Sequence, residues 1–199
     1  LAQEACQIEI DKVGEPIGKQ DQYVASYGGL NYFRFLPSGE VRVEPVQCQE
    51  RTAKNLQESC MLFYTGKTRS ASTVLREHSD NMSARRDGFR EMAQLAGELK
   101  LILESNPRNM EGFGQLMHAA WEIKKSMSTQ VSNDQIDAWY DAALEAGAWG
   151  GKILGAGSGG FLLIIADPAK KARIHQALAD LRAFDVAFQK SGSEIIFAD

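Results

Sequence analysis

The sequence predicts an α+β fold in which helices cover an antiparallel sheet, and three observations carry that expectation. From residue 60 onward the apolar patterning runs strand, helices, strand, helix, strand. Before it, Asn31–Leu36 and Glu40–Val46 alternate apolar and polar residues around Pro37-Ser-Gly39, which is the composition of a hairpin turn. The third observation is the stretch from Gly147 to Phe161, where seven of fifteen residues are glycine between two apolar flanks. Glycine loses more conformational entropy on folding than any other residue, so that density needs a physical reason.

The 199 residues suffice for one large domain, or for one domain and part of a second. A hydrophobic content of 44% and a charged content of 24% are those of an ordinary globular chain. A net charge of −4 argues against nucleic acid or an anionic membrane as the main partner. No apolar run approaches the roughly 20 residues that span a bilayer. Cys6, Cys48 and Cys60 share no metal-ligand spacing, so reduced thiols in a cytoplasmic protein are expected.

In order, residues 1 to 12 read as a helix with Leu1, Ala5 and Ile8 on one face, broken at Gly14-Glu-Pro-Ile-Gly18. A polar cluster, Lys19 to Tyr23, leads to a helical turn at Val24–Tyr27 and then to the hairpin. Residues 47 to 59 are polar and irregular and are expected to form a domain boundary, dividing a first domain over 1–50 from a second over 55–199. Cys60–Thr65 reads as a buried strand ending in Gly66-Lys-Thr-Arg-Ser70, with helical spacing resuming at Val74 and Leu75. Helices follow over about 83–104, 110–127 and 134–146, the last capped by Gly147. Phe161–Ala166 is a short branched strand, Pro168 opens a helix to about Phe184, and Ser193–Ala198 closes as a strand.

Gly155, Gly157 and Gly160 satisfy G-x-G-x-x-G, but a dinucleotide turn runs from strand to helix, and here a helix precedes the loop and a strand follows it. That excludes a Rossmann reading. Two explanations of the glycines remain: a tight linker between packed elements, or a loop whose backbone N–H groups lie bare against an anion. Asp21, with Lys19 two residues away, reads either as a solvated charge pair or as a base beside its counter-ion. Glu9 by itself is a surface helix charge. Thr65, Arg69 and Ser70 stand where a strand ends and a helix begins, which suits a helix cap or an anion contact. Trp121 and His118 are expected in the core, and His78 and His175 have no acidic or cysteine company.

Ala-Trp-Gly-Gly-Lys-Ile-Leu-Gly-Ala-Gly-Ser-Gly-Gly-Phe resembles the third motif of the GHMP kinases, the superfamily of galacto-, homoserine, mevalonate and phosphomevalonate kinases. The familiar form has glycine where Ser158 stands. Gly-Lys-Gln-Asp-Gln-Tyr23 resembles the catalytic-aspartate segment of that family, and Tyr64–Ser72 and Ala119–Ser126 resemble segments of its heptose 7-phosphate kinase branch, with Lys67 a small departure. The resemblance implies a ferredoxin-like C-terminal domain preceded by the tail of an N-terminal domain. It implies transfer of the ATP γ-phosphoryl to the anomeric hydroxyl of a heptose 7-phosphate, with Asp21 as base, Lys19 beside it and Glu9 as a Mg²⁺ ligand. It further implies that Gly155, Ala156, Gly157, Ser158, Gly159 and Gly160 lie at the phosphates, and that Thr65, Arg69 and Ser70 contact the sugar or its phosphate.

The family's ATP cradle, Pro-x-x-x-Gly-Leu-x-Ser-Ser, does not occur in these residues. The start at Leu1, with neither Met nor a capping residue, reads as the middle of a helix. A fragment inactive by itself is therefore expected. A fucokinase- or galactokinase-like enzyme and a non-catalytic binding module are the alternatives.

Overall fold

The computed structural model describes residues 1–66, 85–106, 108–155 and 157–197. Backbone contacts divide the chain into two units, Leu1–Gln47 together with the segment from Ala187 on, and Cys48–Val186.

In the first unit, α1 (Ala2–Cys6) runs on into a π-helical turn, Gln7–Lys12, in which Val13 N–H reaches back to the Ile8 carbonyl at 2.9 Å. The expected Leu1-Ala5-Ile8 stripe does not form, because α1 turns inward the adjacent face, one residue out of register, that carries Ala2 and Cys6 at i, i+4 spacing. Ala2 and Cys6 are buried instead, while Leu1 and Ile8 are 68% and 52% exposed. Helix α2 (Gln20–Tyr27) follows, longer than the expected turn. Strands β1 (Asn31–Phe35) and β2 (Val41–Pro45) pair antiparallel with Phe33 opposite Val43, and Gly39 closes the turn at φ +85°. Tyr23 and Tyr27 of α2 meet Phe33 edge-on, both at 6.4 Å between ring centroids, which seats the helix on the hairpin.

The segment from Ala187 returns to this unit. Gly29 N–H donates to the Gln189 carbonyl and Ser193 N–H to the Ala25 carbonyl, at 2.9 and 3.0 Å. The crossing is close because Gly28 and Gly192 carry no side chain, and a Cβ on either would run into the other segment's backbone. The strand expected over Ser193–Ala198 is not formed over the described residues 193–197. Ile195, Ile196 and Phe197 stand 87%, 96% and 77% exposed, with no ladder partner among the described residues to bury them.

In the second unit, the stretch expected to be irregular holds α3 (Glu50–Ser59), whose Thr52, Leu56 and Ser59 bury at helical spacing among otherwise polar residues. Strand β3 (Cys60–Tyr64), helix α4 (Arg86–Ser105), helix α5 (Met110–Met127) and helix α6 (Asp134–Glu145) come next. The Asn133 side chain caps α6 by accepting from the N–H groups of Gln135 and Ile136.

The glycine-rich stretch departs from the expected helix–loop–strand order, because it opens with a strand. Ala148–Ile153 is a strand, β4, and pairs antiparallel with β5 (Phe161–Ala166), so the glycine loop is the turn of a hairpin. Gly150 and Gly151 are glycine for packing: a Cβ on Gly150 would strike the Gly114 carbonyl on α5, and one on Gly151 the Leu163 carbonyl of β5. The helix expected from Pro168 to Phe184 is also shorter. A 3₁₀ turn (Pro168–Lys170) and α7 (Lys171–Ala177) end where Leu178 and Leu181 bury, and Arg182–Phe184 forms β6 on the free edge of β3.

The sheet order is β4-β5-β3-β6, every pairing antiparallel. Phe63, Ile153, Leu162 and Ile164 are fully buried with Trp121 of α5 and Ile136 and Tyr140 of α6. This is the mixed helix and antiparallel-sheet architecture expected.

Candidate active site

The glycine loop spans residues 154–160, described here except for residue 156, which lies outside the described residues. Its two ends are tied down. Thr65, at the end of β3, donates both its N–H and its hydroxyl to the Gly160 carbonyl, each at 2.9 Å. The hydroxyl and amide expected to be free for an anion therefore anchor the loop. On the other side Ser158 is buried, its N–H on the Val131 carbonyl at 2.8 Å and its hydroxyl on the Gln130 carbonyl.

Ser158 has φ +61°, and it alone among the described non-glycine residues has a positive φ. A left-handed conformation costs a side-chain-bearing residue roughly 1–2 kcal/mol, and the hydrogen bond to Gln130 offsets it. Gly157, at φ +117°, lies so close to the 128–131 turn that a Cβ would come within 2.6 Å of the Val131 carbonyl oxygen. That turn is in turn held from α5 and α6: Ser132 donates to Asp137 at 2.9 Å, and Lys125 pairs with Asp137 and with Glu122.

What the loop leaves open is as informative. Gly155 and Gly160, at φ +74° and +87°, have nothing within 4 Å of where a Cβ would stand. The N–H groups of Gly157, Gly159 and Gly160 meet no acceptor among the described residues. Backbone donors in a mostly buried loop are ordinarily paired, so they are disposed to take a ligand's oxygens.

Beneath the loop, His118 Nδ1 lies 2.9 Å from the Tyr140 hydroxyl, which also lies 3.4 Å from the Gly151 carbonyl. Burial pushes the Tyr140 phenol up, so it stays protonated and donates. His118 is thus a hydrogen-bonded, half-buried histidine at the edge of the core, and Trp121 is a core residue as expected. Lys124, near the end of α5, donates to the Gly155 carbonyl at 2.7 Å. Burial, with the nearby Lys152 ammonium, lowers its pKa to about 8, and burial lowers that of Lys152 as well. Neither lysine was singled out as a site residue. Both lie in quoted motif segments, but only the packing of α5 on β4 brings them together.

In the first unit, Asp21 is exposed in the first turn of α2, where the helix dipole favours a carboxylate. It takes no hydrogen bond or ion pair among the described residues. Lys19 does not pair with it: the ammonium donates to the Gly39 carbonyl at 3.1 Å and braces the hairpin turn. Glu9 lies in the π-helical turn and accepts from Gln22 Nε2 at 2.8 Å, next in sequence to Asp21. Gln22 is buried, and its Oε1 has no partner among the described residues.

No three His, Cys, Asp or Glu side chains gather into a metal site among the described residues. Glu9 by itself suits Mg²⁺ only in the mode where one or two carboxylates hold an ion otherwise bound by phosphates and water. Arg69 and Ser70 lie outside the described residues.

Comparison with known proteins gives this geometry a lineage. Residues 92–182 match the family described as GHMP kinases C terminal. The chain is 32% identical, over 96% of its length, to the D-glycero-alpha-D-manno-heptose 7-phosphate kinase of Campylobacter jejuni, and spans 57% of that protein. It is 28% identical, over 85% of its length, to the bifunctional fucokinase/GDP-fucose pyrophosphorylase of Arabidopsis thaliana, of which it covers 16%. The solved D-glycero-D-manno-heptose 1-phosphate kinase of Bacteroides thetaiotaomicron superposes with a TM-score of 0.71 at 25% identity, over 96% of this chain and 52% of that one. The chain therefore spans little more than half the length of the heptose kinases it matches. With that domain match, that hairpin and that fold, residues 92–182 carry the C-terminal domain of the GHMP kinases, and the chain is similar to heptose kinases over 96% of its length.

Proposed function

We propose that this chain is part of an ATP-dependent sugar kinase whose acceptor is a phosphorylated heptose, the phosphoryl group passing to the anomeric hydroxyl. The observation that carries this reading is the 154–160 loop, with donors unpaired and edges anchored, in a domain shared with heptose kinases. Phosphoryl transfer requires little covalent work from a protein; it requires positioning and neutralisation of spreading negative charge.

In this scheme the N–H groups of Gly157, Gly159 and Gly160 donate to phosphate oxygens. Thr65 and Ser158 hold the loop in shape from behind, and their part is positioning. Asp21, whose carboxylate has no other partner among the described residues, accepts the proton of the acceptor hydroxyl. Glu9, steadied by Gln22, would hold Mg²⁺, which supplies neutralisation of the phosphate charge when bound. Lys19 acts on the hairpin turn.

No helix of the described residues is long and apolar enough to cross a membrane, which is compatible with the cytoplasmic setting of a kinase of small sugars. A fucokinase-like acceptor is the second reading, favoured by the similarity to the Arabidopsis protein.

The test is ATP-dependent ADP release with heptose 7-phosphate, heptose 1-phosphate, L-fucose and galactose. It is run on the chain as it stands and on the chain joined to a segment carrying Pro-x-x-x-Gly-Leu-x-Ser-Ser. Turnover of heptose 7-phosphate only in the joined protein is expected. Turnover of fucose alone would shift the acceptor to the second reading, and no turnover of any sugar would leave the non-catalytic module.

A further inference from the structure

Lys124 and Lys152 are anomalous among the cations of the second unit. Lys125, next along α5, meets Glu122 at 2.8 Å and Asp137 at 3.4 Å and lies over the Trp121 and Tyr140 rings. Lys124 has none of this. Its one hydrogen bond goes to the Gly155 carbonyl, and no carboxylate among the described residues pairs with it. Lys152, on β4 two residues before the loop, forms no hydrogen bond or ion pair among the described residues.

The fold forces the pair together. Gly150 and Lys152 alternate onto one side of β4, and α5 lies against Gly150 through Gly114 and His118. Lys124 is six residues on from His118, at the end of α5 that reaches the loop. Two half-buried ammonium groups near enough to repel each other, with no counter-charge among the described residues, are costly to keep. Lys124 stands at Gly155, whose Cβ direction is empty, on the loop whose Gly157, Gly159 and Gly160 N–H groups meet no acceptor among the described residues.

We propose that Lys124 and Lys152 form a two-ammonium seat for a phosphate group at the open side of the glycine loop. The proposal rests on reading that loop as a phosphate cradle, and it adds the side chains that neutralise the anion. A phosphate monoester carries a charge of about −1.5 to −2 at neutral pH, which two ammonium groups match. Lys124 can give one proton to the Gly155 carbonyl and still direct two at the ligand, since an ammonium has three donors. The terminal phosphates of a nucleotide and the phosphate of a sugar present the same chemistry here, and the test separates them.

The experiment titrates the full chain with inorganic phosphate and, separately, with ATP, by calorimetry at pH 8 in two buffers of different ionisation enthalpy. Wild type is expected to bind phosphate with net proton uptake, because an anion restores the charged form of Lys124. Lys152→Met should weaken phosphate binding by about tenfold or more, Lys152→Arg should retain it, and Lys54→Met, at an exposed position of α3 paired with Glu58, should leave it unchanged. Lys152 leads because Lys124 also holds the loop.

A parallel loss for ATP assigns the seat to the nucleotide. Loss for phosphate alone, with ATP unchanged, assigns it to the acceptor. The proposal fails if Lys152→Met binds phosphate as wild type does, or if wild type shows no binding below about 10 mM. Gly160→Ala separates the two ideas. If it abolishes phosphate binding while Lys152→Met does not, the cradle stands without the lysine seat. If neither variant alters binding, both fail.

Discussion

The two units hold their candidate residues by opposite means. In the second unit the glycine loop is locked: Thr65 and Ser158 are buried, Gly157 abuts Val131, and the turn it rests on is fixed by Asp137 and Lys125. In the first, Asp21 and Glu9 are exposed on short helical segments, with a single hydrogen bond from Gln22 to hold Glu9. The lesson is energetic. A backbone anion site needs precise peptide orientation, which only packing supplies, so its residues are also stability residues. A proton acceptor needs an open carboxylate, so it is free of structural duty. Substitutions should therefore separate activity from stability in the first unit and couple them in the second.

The largest expected effect sharpens that contrast. In the joined kinase, Asp21→Asn should lower kcat by roughly 10²–10⁴ while the melting temperature and ATP affinity stay put, because the side chain touches nothing that folds the chain. Asp11→Asn serves as the control and should cost almost nothing. Steady-state kinetics alongside a thermal melt decide it. An unchanged kcat removes Asp21 from the mechanism.

Gly157→Val is the counterpart in the second unit. The close approach to Val131 makes Gly157 a packing residue as well as a loop residue. A Cβ so near a backbone carbonyl should cost about 3 kcal/mol and take activity down with the fold, measured by urea denaturation. A variant that melts normally would break the comparison.

Ser158 offers a finer cut. Ser158→Ala keeps the left-handed strain, loses the bond to Gln130 and should destabilise by about 1–2 kcal/mol. Ser158→Gly relieves the strain as it loses the bond and should fall within about 1 kcal/mol of wild type.

The smallest effect is one of pH. Lys124 is pushed down to about 8 by burial and by Lys152, and the other group facing it is the neutral Gly155 carbonyl, while Lys125 is engaged with Glu122 and Asp137. Only the charged form attracts an anion, so phosphate affinity should be greatest below pH 8 and decline as pH rises through it. The unliganded chain should behave oppositely. A lysine whose folded pKa lies below its unfolded one binds fewer protons when folded, so stability should rise slightly between about pH 8 and pH 10. Phosphate titrations and melts across that range test both signs.

Much of the architecture was legible because apolar periodicity is local. The helices at Met110–Met127 and Asp134–Glu145, the strand at Cys60–Tyr64 and the hairpin around Gly39 follow from spacing and turn residues within one window. What was misread depended on partners far along the chain. Ala148–Ile153 looked like loop because Gly150 and Gly151 suppress strand propensity, and only the close approach of α5 and Leu163 makes glycine the right residue there. Glu50–Ser59 looked irregular because its few buried residues matter only once they meet the rest of the unit.

By itself, then, the sequence determined the fold class, the likeness to the GHMP kinase C-terminal domain and the segment in which the glycine loop lies, since motif and periodicity are written in neighbouring residues. Tertiary structure alone decided what each loop residue does. Thr65 and Ser158 became anchors and Gly157 a contact, and Lys124 and Lys152 came together without a counter-charge among the described residues. Each of those roles depends on a hydrogen-bond partner or a steric neighbour from another element, and spacing along one chain carries no information about where that element will lie.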